Sequence, residues 1–217
     1  MDFFEVATST PTMRHFLDRP IPEPELRKIF ETANMAPSGS NAQPWEFVVV
    51  RDARARGEIQ RLYEAVWGAY KESAIIRGRT SLSPRAVKAL KTGDEFAVQL
   101  AIVPVHVVVF LNRSKMRVER GSAADLFNFG ATYGSIFPAI ELMMLAARAL
   151  GIGTAMTTML SSREPETKAL LGVPEQYQLI ALVPMGYPAD DFKRPLRKPV
   201  LPRIHDERWD RAWPRSD

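Results

Sequence analysis

The sequence predicts one domain of the α+β class, with mixed α/β layers in which helices cover a sheet of few strands. Its 217 residues are enough for one domain with a well-packed core and short for two. Apolar residues make up 46% of the chain and charged residues 25%, a composition typical of a globular protein rather than a disordered or fibrous one. Helical and strand-like segments alternate irregularly, which disfavours both a barrel and a regular doubly wound sheet.

The first elements are a helix, a loop and a strand. Apolar residues at helical spacing run from Glu23 to Met35, after prolines that suit the first turn of a helix. The stretch from Ala36 to Pro44 is rich in Pro, Gly, Ser and Asn, which predicts a loop. Trp45 to Val50 is apolar and aromatic except at Glu46 and has the length of a strand, so we expect a strand there.

Two helices are expected next. From about Ala53 to Arg79 the apolar residues recur at helical spacing, and a second helix follows from Arg85 to about Leu100 with Gly93 as a weak point. Trp67 and Tyr70 fall on the first of these helices. They fit a packed core and a cover over a site equally well.

The middle of the chain predicts a buried strand and a long helix. Ile102 to Leu111 is dominated by β-branched residues, and His106 within it is expected to be a packed or surface-facing strand residue rather than a proton donor. Tyr133 to Leu150 is apolar and helical, with Pro138 as a potential kink and Gly151 as its C-cap.

Three shorter segments complete the predicted fold. Ile152 to Met156 is extended, Ser161 to Glu164 matches a capping box for a helix that reaches Leu171, and Tyr177 to Met185 is the last central strand. The glycines at positions 151 and 153 lie between a helix and a strand and lack a third glycine. This order is the reverse of a dinucleotide-binding fingerprint, so a helix C-cap is the favoured interpretation.

The composition excludes several kinds of active site. There are no cysteines, which rules out disulfides, thiolate nucleophiles, iron–sulfur clusters and zinc ribbons together. The three histidines are widely spaced, so we expect no metal site. The chemistry is therefore expected to come from a cofactor.

The positive charge of the chain is concentrated at its C-terminal end. Residues 193–217 hold eight Lys and Arg against four Asp and Glu, and so account for the whole formal net charge of +4. A basic tail fits a nucleic-acid arm, a solvated surface or an anion site. Trp209 and Trp213, spaced as on one helical turn, favour a tail that docks on another surface, and the interspersed acids argue against nucleic acid as a partner.

The N-terminal residues Met-Asp-Phe-Phe-Glu lack the basic leader and the apolar core of a signal peptide. No stretch approaches the roughly 20 uncharged apolar residues that a membrane span needs. We therefore expect a cytoplasmic protein without a membrane partner.

Several segments carry, in order, a pattern that one enzyme family shares. The predicted loop and strand read Ala36-Pro-Ser-Gly-Ser-Asn-Ala-Gln-Pro-Trp-Glu-Phe-Val-Val-Val50, and Thr12-Met-Arg14-His-Phe16 stands before them. The later segments are 96–110, 145–154 and 182–188, followed by Arg197-Lys-Pro199. Together they resemble the FMN-dependent nitroreductase family over nearly the whole chain, with only residues from about 51 to 85 poorly matched.

The resemblance implies a nitroreductase-like fold with a central, mostly antiparallel sheet flanked by helices. The chain would form a single domain, residues 1–217. It would assemble as a two-fold homodimer with one FMN at each half of the interface, built from both subunits. Residues 193–217 would form an extended C-terminal arm that docks on the partner.

The resemblance also implies which residues hold FMN. Arg14 would lie near the pyrimidine edge of the flavin, and a backbone amide near Met156 would face the flavin N5. Arg197, with Lys198 second, would hold the phosphate. The full implied set is Thr12, Arg14, Pro37, Ser38, Ser40, Asn41, Met156, Thr157, Thr158, Arg197 and Lys198.

One departure from the family concerns the phosphate. The family usually has an arginine where this chain has Thr10, and a serine at Thr12. Losing a charge-assisted hydrogen bond costs about 1.5–3 kcal/mol if nothing replaces it. We expect Arg19 or a tail residue to substitute.

For activity, the resemblance implies ping-pong electron transfer from NADH or NADPH, through FMN, to a small acceptor such as a nitroaromatic or a quinone. Reductive dehalogenation, flavin cleavage and dehydrogenation by related members are the alternatives. A deiodinase-type clamp uses Glu, Tyr and Lys, and Glu58 and Tyr63 lie in the corresponding region at a spacing that does not match convincingly. A non-enzymatic interaction protein with a basic tail is the remote alternative.

Overall fold

A computed structural model describes residues 1–77, 83–116 and 124–213 of the chain. Its helices and strands, in chain order, are α1 (Phe3–Thr8), α2 (Glu23–Ala33), β1 (Trp45–Val50), α3 (Ala53–Arg77), α4 (Pro84–Gln99), β2 (Val105–Asn112), α5 (Ala124–Ala149), β3 (Gly153–Thr154), α6 (Glu164–Leu171) and β4 (Tyr177–Gly186). The α+β class is thus confirmed. The predicted end of α3 at Arg79 lies outside the described residues.

The strands form one sheet in the order β1-β2-β4-β3, and each neighbouring pair is antiparallel. Trp45 of β1 pairs with Leu111 of β2, and Val105 of β2 pairs with Met185 of β4. Strands β2 and β4 are therefore the two central strands of the sheet. Every residue of β2 is buried. A central strand covered on both faces requires such a continuous apolar run.

Helices cover the two faces of the sheet and divide the core into two layers. Because successive strand residues point to opposite faces, Val107 and Val109 join the layer beneath α2 and α5, while Val108 and Phe110 join the layer beneath α3 and α4. Helices α3 and α4 lie next to each other, and the turn after β3 lies close to α3. The candidate site forms in this second layer.

Two predicted boundaries were wrong. Strand β2 begins at Val105 rather than Ile102, because Leu100–Ile102 form a 3₁₀ turn that leads into Pro104. Helix α5 begins at Ala124 rather than Tyr133 and continues through Pro138 as one element. Gly130 and Gly134 weaken the local helical signal.

The predicted capping box of α6 is not formed. Residues 159–163 make a 3₁₀ turn instead, in which Ser161 Oγ donates to the carbonyl oxygen of Thr158 at 2.6 Å. Glu164 is the first residue of the helix, and its carboxylate accepts a hydrogen bond from the backbone of Leu179 at 3.2 Å. Ser161 therefore lies one 3₁₀ turn too early to cap α6.

The tail does not contain the predicted helical turn. A bridge between His205 and Ala212 closes a small hairpin, and Glu207 and Asp210 have φ values of 61° and 65°, which a right-handed helix excludes. Trp209 stacks on His205 at 4.4 Å between ring centroids. The two tryptophans, Trp209 and Trp213, therefore do not share a helix face.

One helix corrects the expectation that no stretch approaches a membrane span. Asn128–Ala149 is long and apolar enough by length and composition alone, with a mean hydropathy of 1.3. Its residues Ile136, Ile140 and Met143 are fully buried in the core of this domain. The core helix of a folded domain meets the same criteria.

Candidate functional site

The candidate site is a cavity of about 320 Å³ between α3 and the segment that follows β3. We call it the aromatic slot, because four aromatic rings and two methionine side chains contribute to its wall. It is lined by Thr12, Arg14, Tyr63, Trp67, Tyr70, Phe96, Ala155, Met156, Thr157 and Met159. A larger hollow of about 590 Å³ beside β1, lined in part by Phe30, Phe47 and Lys115, contains none of the predicted site residues.

The floor of the slot is built from two segments that are bonded to the sheet edge. Met13 N–H donates to the carbonyl oxygen of Thr154 at 2.9 Å, which holds Thr12 and Arg14 beside β3. Gly153 allows this close approach, because a Cβ there would lie 2.8 Å from Met13 Cγ.

The segment after β3 is fixed to β4. Thr157 N–H donates to Leu182 O at 2.9 Å and Thr157 O accepts from Leu182 N–H at 2.8 Å. Ala155 N–H donates to Pro184 O at 3.1 Å. Because these two amides are bonded to β4, the backbone amide of the intervening Met156 points away from β4. The side chain of Met156 lines the slot, and 38% of the residue's surface is exposed.

The aromatic wall comes from α3 and α4. Tyr63, Trp67 and Tyr70 recur every three or four residues and so lie on one face of α3. Phe96 of α4 meets Tyr63 edge to face at 5.9 Å between centroids. Burial raises the pKa of Tyr63, although a hydrogen bond with Thr157 and the nearby Arg14 charge lower it, so its phenol stays protonated at neutral pH.

Arg14 is the charged residue of the slot. Its side chain is exposed, and it forms no side-chain hydrogen bond or ion pair with residues 1–77, 83–116 or 124–213. A guanidinium in this state is suited to a ligand's carbonyl oxygens or negative charge.

The predicted loop residues Pro37, Ser38, Ser40 and Asn41 lie outside the slot. The loop is anchored to α5 by Gly39 N–H, which donates to Ser135 Oγ at 3.0 Å. Ser40, Asn41 and Gln43 have φ values of 52°, 53° and 45°. Left-handed backbone at a non-glycine residue costs about 1–3 kcal/mol and is characteristic of functional loops.

The predicted phosphate cations form a third group. Arg197 and Lys198 line an exposed hollow of about 410 Å³ together with Arg203, apart from the slot. Thr158 is exposed and starts the 3₁₀ turn beside the slot without lining it. The structure thus gathers Thr12, Arg14, Met156 and Thr157 in the slot and keeps the other predicted residues elsewhere.

Arg19 is one of the residues expected to replace the missing arginine. Its guanidinium lies over the ring of Tyr187 at 3.9 Å, and the hydroxyl of Thr10 donates to Val6 O at 2.6 Å. Lys193 of the tail lines a hollow of about 290 Å³ together with Thr12 and Arg14, two residues that also line the slot.

Sequence reasoning missed three slot residues, Phe96, Ala155 and Met159. Each sits in an ordinary apolar pattern, so no local signal marked it. Tyr63, Trp67 and Tyr70 did carry a signal, since their spacing placed them on one helix face.

Known proteins resemble this chain along most of its length. It is 30% identical over 211 residues to the NADH dehydrogenase of Thermus thermophilus, with 93% of this chain and 96% of that protein covered. It is 28% identical over 207 residues to the iodotyrosine deiodinase of Thermotoga neapolitana, with 93% and 97% covered. A solved structure of oxidised iodotyrosine deiodinase bound to FMN and 3-iodo-L-tyrosine matches with a TM-score of 0.70 and 25% identity, covering 91% of this chain and 95% of that one.

These relatives agree with a comparison against family models. The model of the nitroreductase family matches residues 8–187, well over half of the chain. The chain therefore belongs to the nitroreductase family.

Proposed function

We propose that the protein is an FMN-dependent oxidoreductase that passes electrons from NADH or NADPH to a small acceptor, such as a nitroaromatic or a quinone, by a ping-pong mechanism. The observation that carries the proposal is the aromatic slot with the unpaired Arg14 on its floor, in a chain of the nitroreductase family. A relative named NADH dehydrogenase and a neighbour bound to FMN support it.

The residues of the slot fit a flavin. A flat ring system needs apolar walls, which Met156 and the aromatic residues provide, and its pyrimidine edge needs a positive charge, which Arg14 provides. A phosphate needs cations, and Arg197 and Lys198 are exposed in their hollow. When bound, FMN takes two electrons from the nicotinamide and delivers them to the acceptor.

Two groups of this chain would tune that chemistry. Arg14 would stabilise negative charge on the reduced pyrimidine. The amides of Ala155 and Thr157 already donate to β4, so the amide of Met156 or Thr158 is the donor left for the flavin N5. This amide is a fixed backbone group, which costs no reorganisation during electron transfer.

We propose that the complete site is shared between two subunits of a homodimer. In one subunit the slot, the loop at residues 37–41 and the tail cations are separate, and a dimer that places one subunit's loop against the other's slot would bring them together. Exposed apolar residues outside the core, including Phe3, Phe4 and Phe129, support such an interface.

The reaction balances with the nicotinamide as the electron donor. A nitroaromatic, NAD(P)H and one proton yield the nitroso compound, NAD(P)⁺ and water. A quinone, NAD(P)H and one proton yield the hydroquinone and NAD(P)⁺. Both acceptors are planar and carry no positive charge, in keeping with a slot that is aromatic and holds Arg14.

The visible spectrum of the purified protein tests the proposal. We expect a yellow protein, or an apoprotein that takes up added FMN, whose flavin band is bleached anaerobically by NADH or NADPH and restored by a nitroaromatic. A colourless protein that fails to take up FMN would refute it.

Reductive dehalogenation is the second candidate, favoured by the deiodinase among the relatives. In this chain Glu58 pairs with Arg61 at 2.9 Å on an exposed part of α3, whereas Tyr63 faces the slot. The described slot-lining residues include no carboxylate to bind the ammonium of an amino acid. We therefore expect the dithionite-reduced enzyme to be oxidised faster by a nitroaromatic than by 3-iodo-L-tyrosine, and the reverse order would favour dehalogenation.

A further inference from the structure

One wall of the aromatic slot is held in place from the neighbouring helix. The indole Nε1–H of Trp67 donates a hydrogen bond to Asp94 Oδ1 at 2.8 Å, and Lys71 Nζ donates to Asp94 Oδ2 at 2.6 Å. The hydrogen bonds from Lys71 and from Trp67 lower the pKa of Asp94, so the carboxylate is ionised at neutral pH and accepts from both. The Asp94 side chain of α4 thus binds two side chains of α3, those of Trp67 and Lys71.

Gly93 provides the space that the indole occupies. A Cβ added there would lie 2.2 Å from both Cη2 and Cζ2 of Trp67, a separation that real Cβ atoms essentially never show. Tyr70 extends the wall, with its ring centroid 5.6 Å from that of Trp67 and the two planes tilted by 32°. Gly93, which the sequence predicted as a weak point of α4, therefore leaves the space in which the Trp67 indole lies.

The aromatic residues of α3 lie at increasing distance from the polar floor of the slot. Tyr63 is the aromatic residue near Arg14 and Thr157. At 1.5 Å per residue, Trp67 lies about 6 Å and Tyr70 about 10 Å farther along α3. A flavin ring held beside Arg14 would leave the part of the slot next to Trp67 open to a second planar molecule.

We propose that Gly93 and Asp94 are positioning residues that hold the Trp67 indole as a preformed face of the slot, and that this face selects planar aromatic electron acceptors. The proposal rests on the flavin-dependent function and specifies the acceptor class. Because the indole is fixed before the acceptor arrives, stacking on it requires little loss of side-chain freedom. An acceptor without a flat ring cannot stack on the indole and so gains no binding free energy from this face.

Five variants separate the position of the indole from other effects. Gly93→Ala places a methyl group where the indole lies, and Asp94→Ala removes its hydrogen-bond acceptor. Asp94→Asn keeps an acceptor oxygen for Trp67, and Lys71→Met removes only the ion pair. Gly68→Ala adds a methyl group on α3 in open space and is the matched glycine control.

With the FMN-loaded enzyme, menadione serves as the planar acceptor and ferricyanide as the acceptor without an aromatic ring. We expect Gly93→Ala and Asp94→Ala to raise the KM for menadione about three- to tenfold, with little change in kcat. The three other variants should match the wild type. Ferricyanide reduction should be unchanged in all five.

A second measurement needs no cofactor. Near-ultraviolet circular dichroism of the apoprotein should change in Gly93→Ala and Asp94→Ala, because the indole loses its fixed environment, and should be preserved in Asp94→Asn. Unchanged spectra with an unchanged KM for menadione would overturn the inference, as would an equal loss with ferricyanide. A wild-type protein that takes up no FMN would instead refute the proposed function, and the spectra would still decide whether Gly93 and Asp94 position the indole.

Discussion

His106 lies within β2 with none of its surface exposed. Its Nε2 atom is 2.9 Å from the carbonyl oxygen of Leu100, so Nε2–H donates and Nδ1 is left without a partner among the described residues. Burial lowers the pKa of His106 from 6.5 to about 4; the Leu100 hydrogen bond opposes this shift and the Arg56 charge adds to it. The residue is neutral in the folded protein, and of the two predicted strand positions, packed or surface-facing, it occupies the packed one.

The lowered pKa makes His106 a source of acid sensitivity. Between pH 6.5 and 4 the unfolded chain binds a proton at this residue that the folded chain does not, so the free energy of unfolding falls as the pH is lowered through this range. The full loss is about 3 kcal/mol. We expect His106→Gln to show a shallower loss over the same range than the wild type, in urea unfolding followed by circular dichroism. Parallel curves for the two proteins would assign the acid response to other groups.

Among the elements, those with a strong local signal were predicted best. Strand β1 coincides with the apolar run from Trp45 to Val50, because Pro44 and charged residues bound that run on both sides. The start of α5 was missed, because Gly130 and Gly134 lower the helical propensity of a segment that the rest of the helix sustains. The local sequence pattern thus predicted where the strands lie. It failed where contacts between distant parts of the chain stabilise an element.

The residues of the candidate site also differ in whether the local sequence could predict them. Arg14 and Met156 belong to local motifs, and the structure brings both into the slot. Phe96 enters the slot only because α4 lies next to α3, which no pattern in the sequence reveals. The role of Trp67 depends on the absent side chain of Gly93, a contact between residues 26 positions apart in the chain.

The contact between the N-terminal segment and β3 provides a prediction about an element. Gly153→Ala would place a Cβ 2.8 Å from Met13 Cγ, so the segment that carries Thr12 and Arg14 must shift away from the sheet edge. We expect a loss of about 1–3 kcal/mol in the free energy of unfolding, together with weaker FMN retention. Urea unfolding and flavin absorbance after gel filtration measure the two effects.

The control for this prediction is Gly57→Ala on α3, where an added Cβ meets nothing within 4 Å. This variant should retain FMN and full stability. If Gly153→Ala behaves like Gly57→Ala, the segment adapts to the methyl group, and its close approach to β3 is not needed for the slot.

At the scale of the whole molecule, the C-terminal tail presents large apolar side chains at the surface. In the described chain Leu196 is 91% exposed, Trp209 80% and Trp213 48%. The tail also carries the entire net charge of the chain. A tail with large apolar side chains in solvent fits the predicted arm, which docks on a second subunit and holds Arg197 beside its FMN phosphate.

The last prediction separates anchoring of this arm from phosphate binding. Burying a tryptophan on the partner would contribute about 2–3 kcal/mol from apolar area. Deleting residues 203–217, which include Trp209 and Trp213, should therefore weaken both dimerisation and FMN retention, although Arg197 remains. Arg197→Ala should lower FMN affinity while the dimer persists, because it removes a cation from an exposed hollow and no apolar contact. Size-exclusion chromatography with detection at flavin wavelengths reports both properties, and a truncated protein that stays a fully yellow dimer would show that the arm is dispensable and its charges are merely solvated.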